Sequence, residues 1–245
     1  MQVQEIEPVI DVDDLRQPPP FCVVVIPAHN EEQSLPSVLG AIPRSASGIP
    51  LAPLVVADGC EDRTEEVARE RGVAVLTQQP RLGSGAAVRL GFRAALEAGA
   101  TIVVTLDGDG QHDPAEIERL LAPLLEGRAD IVQGSRALGG FEVGAPLRRF
   151  GIRFFARVMS RLVGVPVTDP STGFRAATAA ALTQIDIRQN QFYVPEFIVE
   201  TTRRGLRLLE VPATGRARLA GKSKKPHSLR YAWGFTKTLV HSHWR

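Results

Sequence analysis

Two carboxylates, Asp107 and Asp109, stand one residue apart directly after a short apolar run at residues 101–106. A run of this length that is rich in β-branched residues predicts a buried strand, and Gly108 and Gly110 allow a sharp turn after it. Two anionic groups this close repel each other unless a cation lies between them, and hard divalent cations prefer oxygen ligands. The pair therefore predicts a Mg²⁺ or Mn²⁺ site that holds a phosphorylated ligand.

Two other structures would account for the same residues. The sequence Asp-Gly-Asp-Gly could form a polar turn that binds no ion. It could also begin a calcium-binding EF-hand loop, with Asp107, Asp109 and Gln111 at the first, third and fifth positions. However, the sixth position needs glycine and here is His112, and a predicted strand stands where the motif needs a helix. These departures disfavour the calcium loop, whereas the polar turn stays an alternative.

The elements that must position the two carboxylates alternate along the chain. Short apolar runs predict strands at residues 21–26, 54–57, 73–76 and 101–106, with a helical pattern after each. This order predicts an α/β fold, with a mostly parallel sheet, right-handed crossovers and helices on both faces. Ligands of such sheets bind at the carboxyl ends of the strands, which is where the carboxylates stand.

Composition favours one large α/β domain, since the chain has 245 residues and 44% of them are hydrophobic. The two cysteines, Cys22 and Cys60, form no CxxC motif, so we expect neither a zinc site nor a disulfide framework. The acidic N-terminus disfavours a signal peptide. No apolar run approaches the roughly twenty residues that would span a bilayer. We therefore expect a cytoplasmic protein.

Charge is distributed unevenly, although the net charge is only +2. Residues 1–20 are acidic and end in three prolines, which predicts a flexible tail. Residues 203–245 contain many lysines and arginines but one acid, Glu210, and such polarity often marks a face that meets an anionic partner. We expect a tail at residues 1–20, a catalytic domain at 21–228 and an amphipathic C-terminal helix at 229–245.

Six motifs occur in a fixed order between residues 21 and 228. Together they resemble family 2 glycosyltransferases of the GT-A fold, most closely the dolichyl-phosphate and polyprenyl-phosphate mannosyltransferases. The glycine-rich motif alone lacks a P-loop or dinucleotide fingerprint, so the full set carries the resemblance. The motifs are Pro27-Ala-His-Asn-Glu31, Asp58-Gly59 with Asp62 and Thr64, Leu82-Gly-Ser-Gly85, Asp107-x-Asp109-x-Gln111-His112-x-Pro114, Gly134-Ser-Arg136 and Ser171-Thr-Gly-Phe-Arg175.

The resemblance implies a nucleotide-sugar site across the ends of the first strands. His29 stands where tyrosine is common, and Ala57 replaces the first acid of the family's Asp-Asp-Gly, so GDP and UDP both stay open as the nucleotide. The implied metal ligands for Mg²⁺ or Mn²⁺ are Asp107, Asp109 and Gln111, and the metal would neutralise charge as the nucleotide leaves. The implied nucleotide-sugar contacts are Pro27, His29, Glu31, Ala57, Asp58, Asp107, Gly108 and Asp109.

The resemblance also implies that basic residues hold phosphate groups, which guanidinium forks and ammonium groups suit. Residues 216–225 have the Gly and Ser content of a mobile flap that closes over the donor. The alternatives are a solvated basic loop for this segment and a surface ion pair for Arg136. The implied catalytic residues are Asp107, Asp109, Arg136, Arg218 and Lys224, and the implied contacts of an acceptor phosphate are Arg136, Ser171, Arg175, Arg218, Ser223 and Lys224.

The acceptor decides whether the enzyme needs a general base. A lipid monophosphate is already anionic at neutral pH, whereas a sugar hydroxyl would need a carboxylate to take its proton. Relatives with hydroxyl acceptors usually carry an acidic pair near residues 192–196, where this chain has one acid, Glu196. Asp169 could serve as a base, but we favour a cap for the turn that follows it. The expected reaction is one displacement that inverts the anomeric carbon.

The segment Pro146–Val163 predicts contact with a membrane surface. It contains no acid, and arginines and apolar residues would form two stripes on a helix. We expect the apolar stripe in the acyl boundary and the arginines at the headgroups, with a similar pattern at residues 229–245. Packing on the sheet or on a second copy is the alternative. The stripes are Arg149, Arg153, Arg157 and Arg161, and Ile152, Phe155, Met159 and Leu162.

Together, the residues and the resemblance predict metal-dependent transfer of a hexose to a polyprenyl phosphate at the cytosolic membrane face. The expected hexose is mannose, and the expected donor is GDP-mannose. The alternative is a UDP-sugar donor with a polyprenyl phosphate or a soluble hydroxyl acceptor. A nucleotidyltransferase would carry a glycine-rich Arg-Lys signature after the first strand, which this chain lacks. A non-catalytic domain would have no reason to keep Asp107, Asp109 and Gln111 together, and we expect no nucleic-acid partner.

Overall fold

An eight-stranded sheet carries the loops in which the predicted site residues lie. The computed structural model describes residues 20–140 and 146–220, together with Thr238. The predicted tail lies outside the described residues except for residue 20, and the predicted C-terminal helix lies outside them except for residue 238. The predicted site residues Ser223 and Lys224 also lie outside the described residues.

Strands and helices alternate through the first half of the chain, as predicted. Strand β5 ends two residues before Asp107, so a strand and not an EF-hand helix precedes the carboxylate pair. The elements are β1 (Cys22–Ala28), α1 (Leu35–Ala41), β2 (Ser45–Ala46), β3 (Ile49–Asp58), α2 (Thr64–Glu70), β4 (Ala74–Gln78), α3 (Ser84–Glu97) and β5 (Ile102–Thr105).

The second half begins with a short 3-10 helix, Pro114–Glu116, whose N-cap Asp113 accepts the backbone N–H of Ala115. Proline suits this first turn because its missing N–H would have no partner there. The remaining elements are α4 (Ile117–Leu125), β6 (Ile131–Ser135), α5 (Arg136–Gly139), α6 (Pro146–Val163), β7 (Arg175–Thr178), α7 (Ala179–Leu182), α8 (Tyr193–Arg203) and β8 (Leu208–Pro212).

The strand order is β2-β3-β1-β5-β7-β6-β8, and β4 pairs with β3. Strands β1, β3, β4 and β5 are parallel, and so are β6 and β8. Their parallel register brings the carboxyl ends of β1, β3 and β5 to one edge, which confirms the predicted α/β sheet. Two features were not predicted: β7 runs antiparallel between β5 and β6, and β2 forms an antiparallel pair with β3.

Both faces of the central strands are buried, which explains their continuous apolar runs. Along β1, Val24 and Ile26 belong to one core cluster, and Val23 and Val25 to the cluster on the opposite face, as the alternation of side chains in a strand requires. Helix α3 packs very closely on the second face, since a Cβ on Gly91 would lie 2.3 Å from a methyl carbon of Val25. This packing fixes the start of α3 relative to the carboxyl end of β1.

Helix α6 packs on the domain through the stripe that was expected to enter the lipid. Met159 is fully buried in a cluster with Ile198 and Val199 of α8, and Phe155 and Leu162 pack against that cluster. The predicted placement of this stripe in an acyl boundary is therefore wrong, because α8 already covers it. No helix among the described residues is long and apolar enough to cross a membrane.

Candidate active site

The polar residues at the carboxyl edge of the sheet line one cavity. Residues after β1 and β5 form one side of it, the turn before α3 and the start of α8 form another, and residues before β7 and in the C-terminal segment complete it. The lining residues that were predicted as site residues are Pro27, His29, Glu31, Asp107, Gly108, Asp109, Ser171 and Arg218.

The two carboxylates of the Asp-x-Asp motif lie in this cavity, and Asp109 is 6% exposed. Asp109 accepts the backbone N–H of Gln111 at 3.0 Å, which closes the turn after β5. Burial, followed by the nearby charge of Asp107, raises the pKa of Asp109. Gly173 lets the loop before β7 approach Asp107 closely, since a Cβ on residue 173 would lie 3.0 Å from Asp107 Oδ1.

Glu31 is a third buried carboxylate at the same edge, 8% exposed. Its backbone N–H donates to Thr64 Oγ1 at 2.8 Å, which joins the loop after β1 to the start of α2. The hydroxyl of Ser34 lies 2.8 Å from Glu31 Oε2 and 2.9 Å from the carbonyl oxygen of Gly108. The loops after β1 and β5 are therefore tied together directly beside the Asp-x-Asp motif.

Arg218 bridges two of these acids. Its Nη1 lies 2.9 Å from Glu31 Oε1, and its Nη2 lies 2.8 Å from Asp109 Oδ2. The backbone around it runs along the Asp-x-Asp loop, because Leu219 N–H donates to the carbonyl oxygen of Asp109 and Arg216 N–H donates to that of Gln111. Arg218 is thus one cation that Glu31 and Asp109 share.

The donor set fits a divalent cation that is bound together with a phosphorylated ligand. Asp107 and Asp109 supply hard oxygen ligands. Among the described residues, no group of three or more His, Cys, Asp or Glu side chains could hold a metal ion, so phosphate oxygens and water would have to complete the coordination. The predicted ligand Gln111 contributes to this loop through its backbone, whose N–H and carbonyl oxygen contact Asp109 and Arg216.

His29 lines the cavity, and its Nδ1 lies 2.8 Å from the carbonyl oxygen of Asp58. A carbonyl only accepts hydrogen bonds, so Nδ1 carries the proton in this contact. The contact fixes the imidazole between the ends of β1 and β3. This is the edge at which the nucleotide was predicted to lie.

Asp58 and Ala57, which were predicted as nucleotide contacts, lie at the end of β3. Ala57 is fully buried in β3. The Asp58 carboxylate accepts hydrogen bonds from Gln78 Nε2, Leu82 N–H and Gly83 N–H at 2.6, 2.7 and 2.8 Å. Neither residue is among those described at the cavity surface. Asp58 therefore acts on the site indirectly, by holding the glycine-rich turn before α3.

Arg136 was predicted to contact phosphate, but it lies in a buried ion pair. It is 4% exposed, and its Nε and Nη2 lie 2.6 and 2.9 Å from the two carboxylate oxygens of Asp169. Burial opposes ionisation of Asp169, but the hydrogen bonds and charge of Arg136 outweigh it and lower the pKa of that carboxyl. Arg136 Nη2 also donates to Ser171 Oγ at 2.8 Å, so the pair fixes a residue of the cavity wall.

Arg175 was predicted as an acceptor-phosphate contact, but its side chain is buried behind the wall. It is 3% exposed, its Nε donates to Gln133 Oε1 at 2.9 Å, and its guanidinium carbon lies 5.1 Å from the ring centroid of Phe197. Burial lowers the pKa of Arg175. Its two terminal nitrogens have no hydrogen-bond partner among the described residues, and Arg175 is not among the residues described at the cavity surface.

One wall of the cavity was missed by the sequence analysis. Gln191, Phe192, Tyr193 and Val194 line it at the start of α8, beside the turn before α3. The sequence carried one signal for this wall, because the same stretch is where related enzymes place functional acids. The sequence analysis considered only the acid pair that this stretch lacks. It did not predict that residues 191–194 line the cavity.

These features define a class: an α/β sheet with paired carboxylates at its carboxyl edge, where they line a cavity together with Arg218. Residues 23–185 match the profile of glycosyl transferase family 2. The chain belongs to this family and is a glycosyltransferase.

Alignments with related proteins extend over most of the chain, as two examples show. A dolichyl-phosphate hexose transferase of Haloferax volcanii is 37% identical over 201 residues, covering 82% of this chain and 85% of that protein. A polyprenol monophosphomannose synthase of Mycolicibacterium smegmatis is 34% identical over 214 residues, covering 82% and 80%.

A solved structure shares the fold. Glucosyl-3-phosphoglycerate synthase of Mycobacterium tuberculosis, crystallised with Mn²⁺, UDP and glucosyl-3-phosphoglycerate, superposes with a TM-score of 0.73 at 23% identity, covering 92% of this chain and 81% of that chain. The similarity supports the GT-A fold that the sequence motifs implied.

Proposed function

We propose that this glycosyltransferase transfers a hexose, mannose from GDP-mannose, to a polyprenyl phosphate, with inversion at the anomeric carbon. The observation that carries the proposal is the position of the acids. Among the described residues that line the cavity, the carboxylates are Glu31, Asp107 and Asp109. All three lie on the side formed by the loops after β1 and β5. The opposite wall offers no described carboxylate to deprotonate a hydroxyl, and a phosphate acceptor needs none.

Relatives support the same acceptor class. The Haloferax protein is named for dolichyl phosphate and the Mycolicibacterium protein for polyprenol monophosphomannose. Both are more than 30% identical to this chain and cover about four fifths of it. One name specifies a hexose and the other specifies mannose. The relatives therefore support the lipid phosphate acceptor more broadly than they support mannose as the sugar.

The mechanism follows from the arrangement of the side chains. His29 and the loop after β1 would hold the nucleoside, and the diphosphate would lie toward Asp107, Asp109 and Arg218. A bound Mg²⁺ or Mn²⁺ would be held by Asp107 and Asp109 and would supply positive charge to the departing diphosphate. A phosphate oxygen of the acceptor attacks the anomeric carbon from the opposite side. The bond to the nucleoside diphosphate breaks, and that group leaves with the electron pair.

We also propose that the arginine face of α6 contacts a membrane surface peripherally, where a polyprenyl phosphate would be found. Arg153, Arg157 and Arg161 are exposed, and Phe154 among them is 54% exposed. Guanidinium groups suit the phosphates of lipid headgroups. The sequence also assigned the arginines to the headgroups. Only the apolar stripe of α6 differs from that expectation, because it packs on α8.

Calorimetric binding of GDP and UDP, each with and without Mn²⁺, would test the donor. Metal-dependent binding of GDP that exceeds binding of UDP would support GDP-mannose, whereas preference for UDP would favour the alternative of a UDP-sugar donor. The acceptor is then tested by transfer of radiolabelled sugar to a short polyprenyl phosphate, with the corresponding polyprenol as the matched control. Transfer to the polyprenol at an equal rate would overturn the phosphate acceptor.

A further inference from the structure

Two segments about a hundred residues apart form one wall of the cavity. The turn at Gly83–Gly85 is docked on the loop before α8, because Gly85 N–H donates to the carbonyl oxygen of Asn190 at 2.8 Å. The contact leaves no room for side chains in the turn. A Cβ on Gly85 would lie 2.1 Å from the carbonyl oxygen of Gln189, and one on Gly83 would lie 2.5 Å from that of Asn190.

A buried carboxylate holds the loop from its α8 side. Glu196 is fully buried, and its Oε2 accepts the backbone N–H groups of Arg188 and Gln189 at 3.0 and 2.7 Å. These two hydrogen bonds join the first turn of α8 to the loop backbone. Glu196 is not among the residues described at the cavity surface, and its Oε2 faces the loop backbone.

A guanidinium holds the same loop from the other side. Arg89, on the first turns of α3, donates from Nη1 to the carbonyl oxygen of Gln189 at 3.1 Å and from Nη2 to Asn190 Oδ1 at 2.6 Å. The loop is therefore fixed between α8 and α3. Both helices begin at this wall, one with the glycine turn and the other with Phe192.

The loop needs such anchors because its last residue has an unfavourable backbone. Phe192 has a φ of 55°, in the left-handed region that bulky residues rarely adopt. Such a conformation persists only when surrounding contacts determine it. Gln191, Phe192 and Tyr193 line the cavity, so their placement depends on the anchors of residues 188–190.

We propose that Glu196 and Arg89 are positioning residues for the transfer reaction, which clamp residues 188–192 onto the Gly83–Gly85 turn and thereby place the cavity wall that faces the hexose and the acceptor. The inference rests on the proposed function and assigns Glu196 no role in proton transfer. Because this wall would face both substrates, loss of the clamp should weaken their binding, although neither Glu196 nor Arg89 is among the residues described at the cavity surface.

The test compares Glu196→Ala with Glu196→Gln and Arg89→Met. The amide oxygen of glutamine can accept both N–H groups that Oε2 accepts, so Glu196→Gln should keep KM and kcat within about threefold of the wild type. Glu196→Ala and Arg89→Met should raise the KM values for donor and acceptor by about tenfold, the value of one lost charged hydrogen bond, with a smaller change in kcat. Their effects should not add, because both act through one loop.

Hydrogen exchange provides a readout that does not depend on the acceptor. In Glu196→Ala, amides at residues 188–192 should exchange at least about tenfold faster, and so should those of the Gly83–Gly85 turn. Glu200→Ala is the matched control. Glu200 is a buried acid one turn later on α8, 6% exposed, and it pairs with Arg203 at 3.0 Å, so its loss should leave the exchange of the turn unchanged.

The outcomes separate the alternatives. If Glu196→Gln loses activity as severely as Glu196→Ala and the pH profile of kcat loses its acidic limb, Glu196 takes part in the chemistry and the positioning role is overturned. Unchanged exchange at Gly83–Gly85 in Glu196→Ala would overturn the clamp as well. If the wild type transfers no sugar to polyprenyl phosphate while the exchange results hold, the proposed function fails and the clamp stands.

Discussion

At the scale of single residues, Arg218 has the most informative position, because its guanidinium lies where a divalent cation must approach. It pairs with Asp109 Oδ2 and with Glu31 Oε1. A metal ion that binds Asp109 through this oxygen has to displace the guanidinium, since two cations at one carboxylate oxygen repel each other. We propose that Arg218 pairs with these acids before the donor arrives and binds phosphate once a metal ion has displaced it from Asp109.

Replacing Arg218 with glutamine should strengthen binding of Mn²⁺ alone, because the competing cation is removed. We expect about tenfold tighter binding for a partly shielded charge pair, measured by electron paramagnetic resonance titration of free Mn²⁺. Arg216→Gln is the matched control, since Arg216 lies in the same segment but pairs with Asp113. Equal or weaker Mn²⁺ binding by Arg218→Gln than by the control would show that the guanidinium does not compete with the metal.

The ion pair of Arg136 and Asp169 predicts a pH-dependent effect on stability. Because both side chains are buried, Asp169→Asn should cost about 3 kcal/mol of unfolding free energy at neutral pH by leaving the arginine unpaired. The folded-state pKa of Asp169 is lowered, so the stabilisation is fully present above the ordinary aspartate pKa of about 3.9. It is lost as pH falls through the lowered value.

Urea denaturation of the wild type and Asp169→Asn across a pH series measures this effect. The difference in unfolding free energy should be constant near neutral pH and should narrow below about pH 4. Asp186→Asn serves as a control, because that acid is half exposed in an ion pair with Arg188 and should contribute little. A difference that stays constant down to the acid transition would contradict the assigned direction of the pKa.

At the scale of elements, the sequence predicted α6 correctly as amphipathic but assigned its apolar face wrongly to lipid. The periodicity of Phe155, Met159 and Leu162 shows that they share a face. It cannot show what covers that face, because lipid and a neighbouring helix are equally apolar. The apolar face of α8, including Ile198 and Val199, provides the cover. The arginine face is then the one available to headgroups.

Charge reversal on α6 tests this face. Arg153→Glu combined with Arg157→Glu should weaken binding to phosphatidylglycerol vesicles by at least about tenfold, since each arginine near an anionic surface contributes about a factor of five. Arg69→Glu with Arg71→Glu is the matched control, because both arginines are exposed at the end of α2. Vesicle cosedimentation at low and high salt measures the binding. Equal losses in both double variants would indicate a nonspecific charge effect.

At the scale of the whole molecule, the parallel half of the sheet was predictable and the antiparallel insertion was not. Strands β1, β3 and β5 are buried on both faces, so their apolar runs stand out from the sequence. Strand β7 has the sequence Arg-Ala-Ala-Thr, which lacks both β-branched enrichment and alternation. It becomes a strand because β5 and β6 offer unpaired edges on either side.

The candidate site, like the sheet, was predicted only in part. Residues that follow buried strands, such as Glu31, Asp107 and Asp109, were placed at the cavity because the strand ends determine their position. Arg136, Arg175 and Asp58 also lie at the ends of strands, but their side chains turn toward buried acids, amides and backbone N–H groups. Sequence position specifies the edge of the sheet at which a residue lies. The partner of its side chain depends on packing that arises only in the folded chain.

At the scale of the whole reaction, the proposed phosphate acceptor would need no base, and the described residues that line the cavity at the start of α8 include no carboxylate. With a phosphate acceptor, the attacking group ionises by itself, and a phosphate monoester has its second pKa near about 6. The acceptor-dependent kcat/KM should therefore fall as pH decreases through about 6, because the dianion is the better nucleophile. Donor binding, measured separately by calorimetry at each pH, corrects for protonation of the carboxylates at the Asp-x-Asp motif.

A phosphonate analogue of the acceptor makes this prediction specific. Its second pKa is higher than that of the phosphate, so the acidic limb of kcat/KM should move to higher pH by the same interval, while the limb for donor binding should not move. If the limb stays in place for both acceptors, the ionising group belongs to the enzyme. An enzymic base would then be required, and the acceptor would have to be sought among hydroxyl compounds.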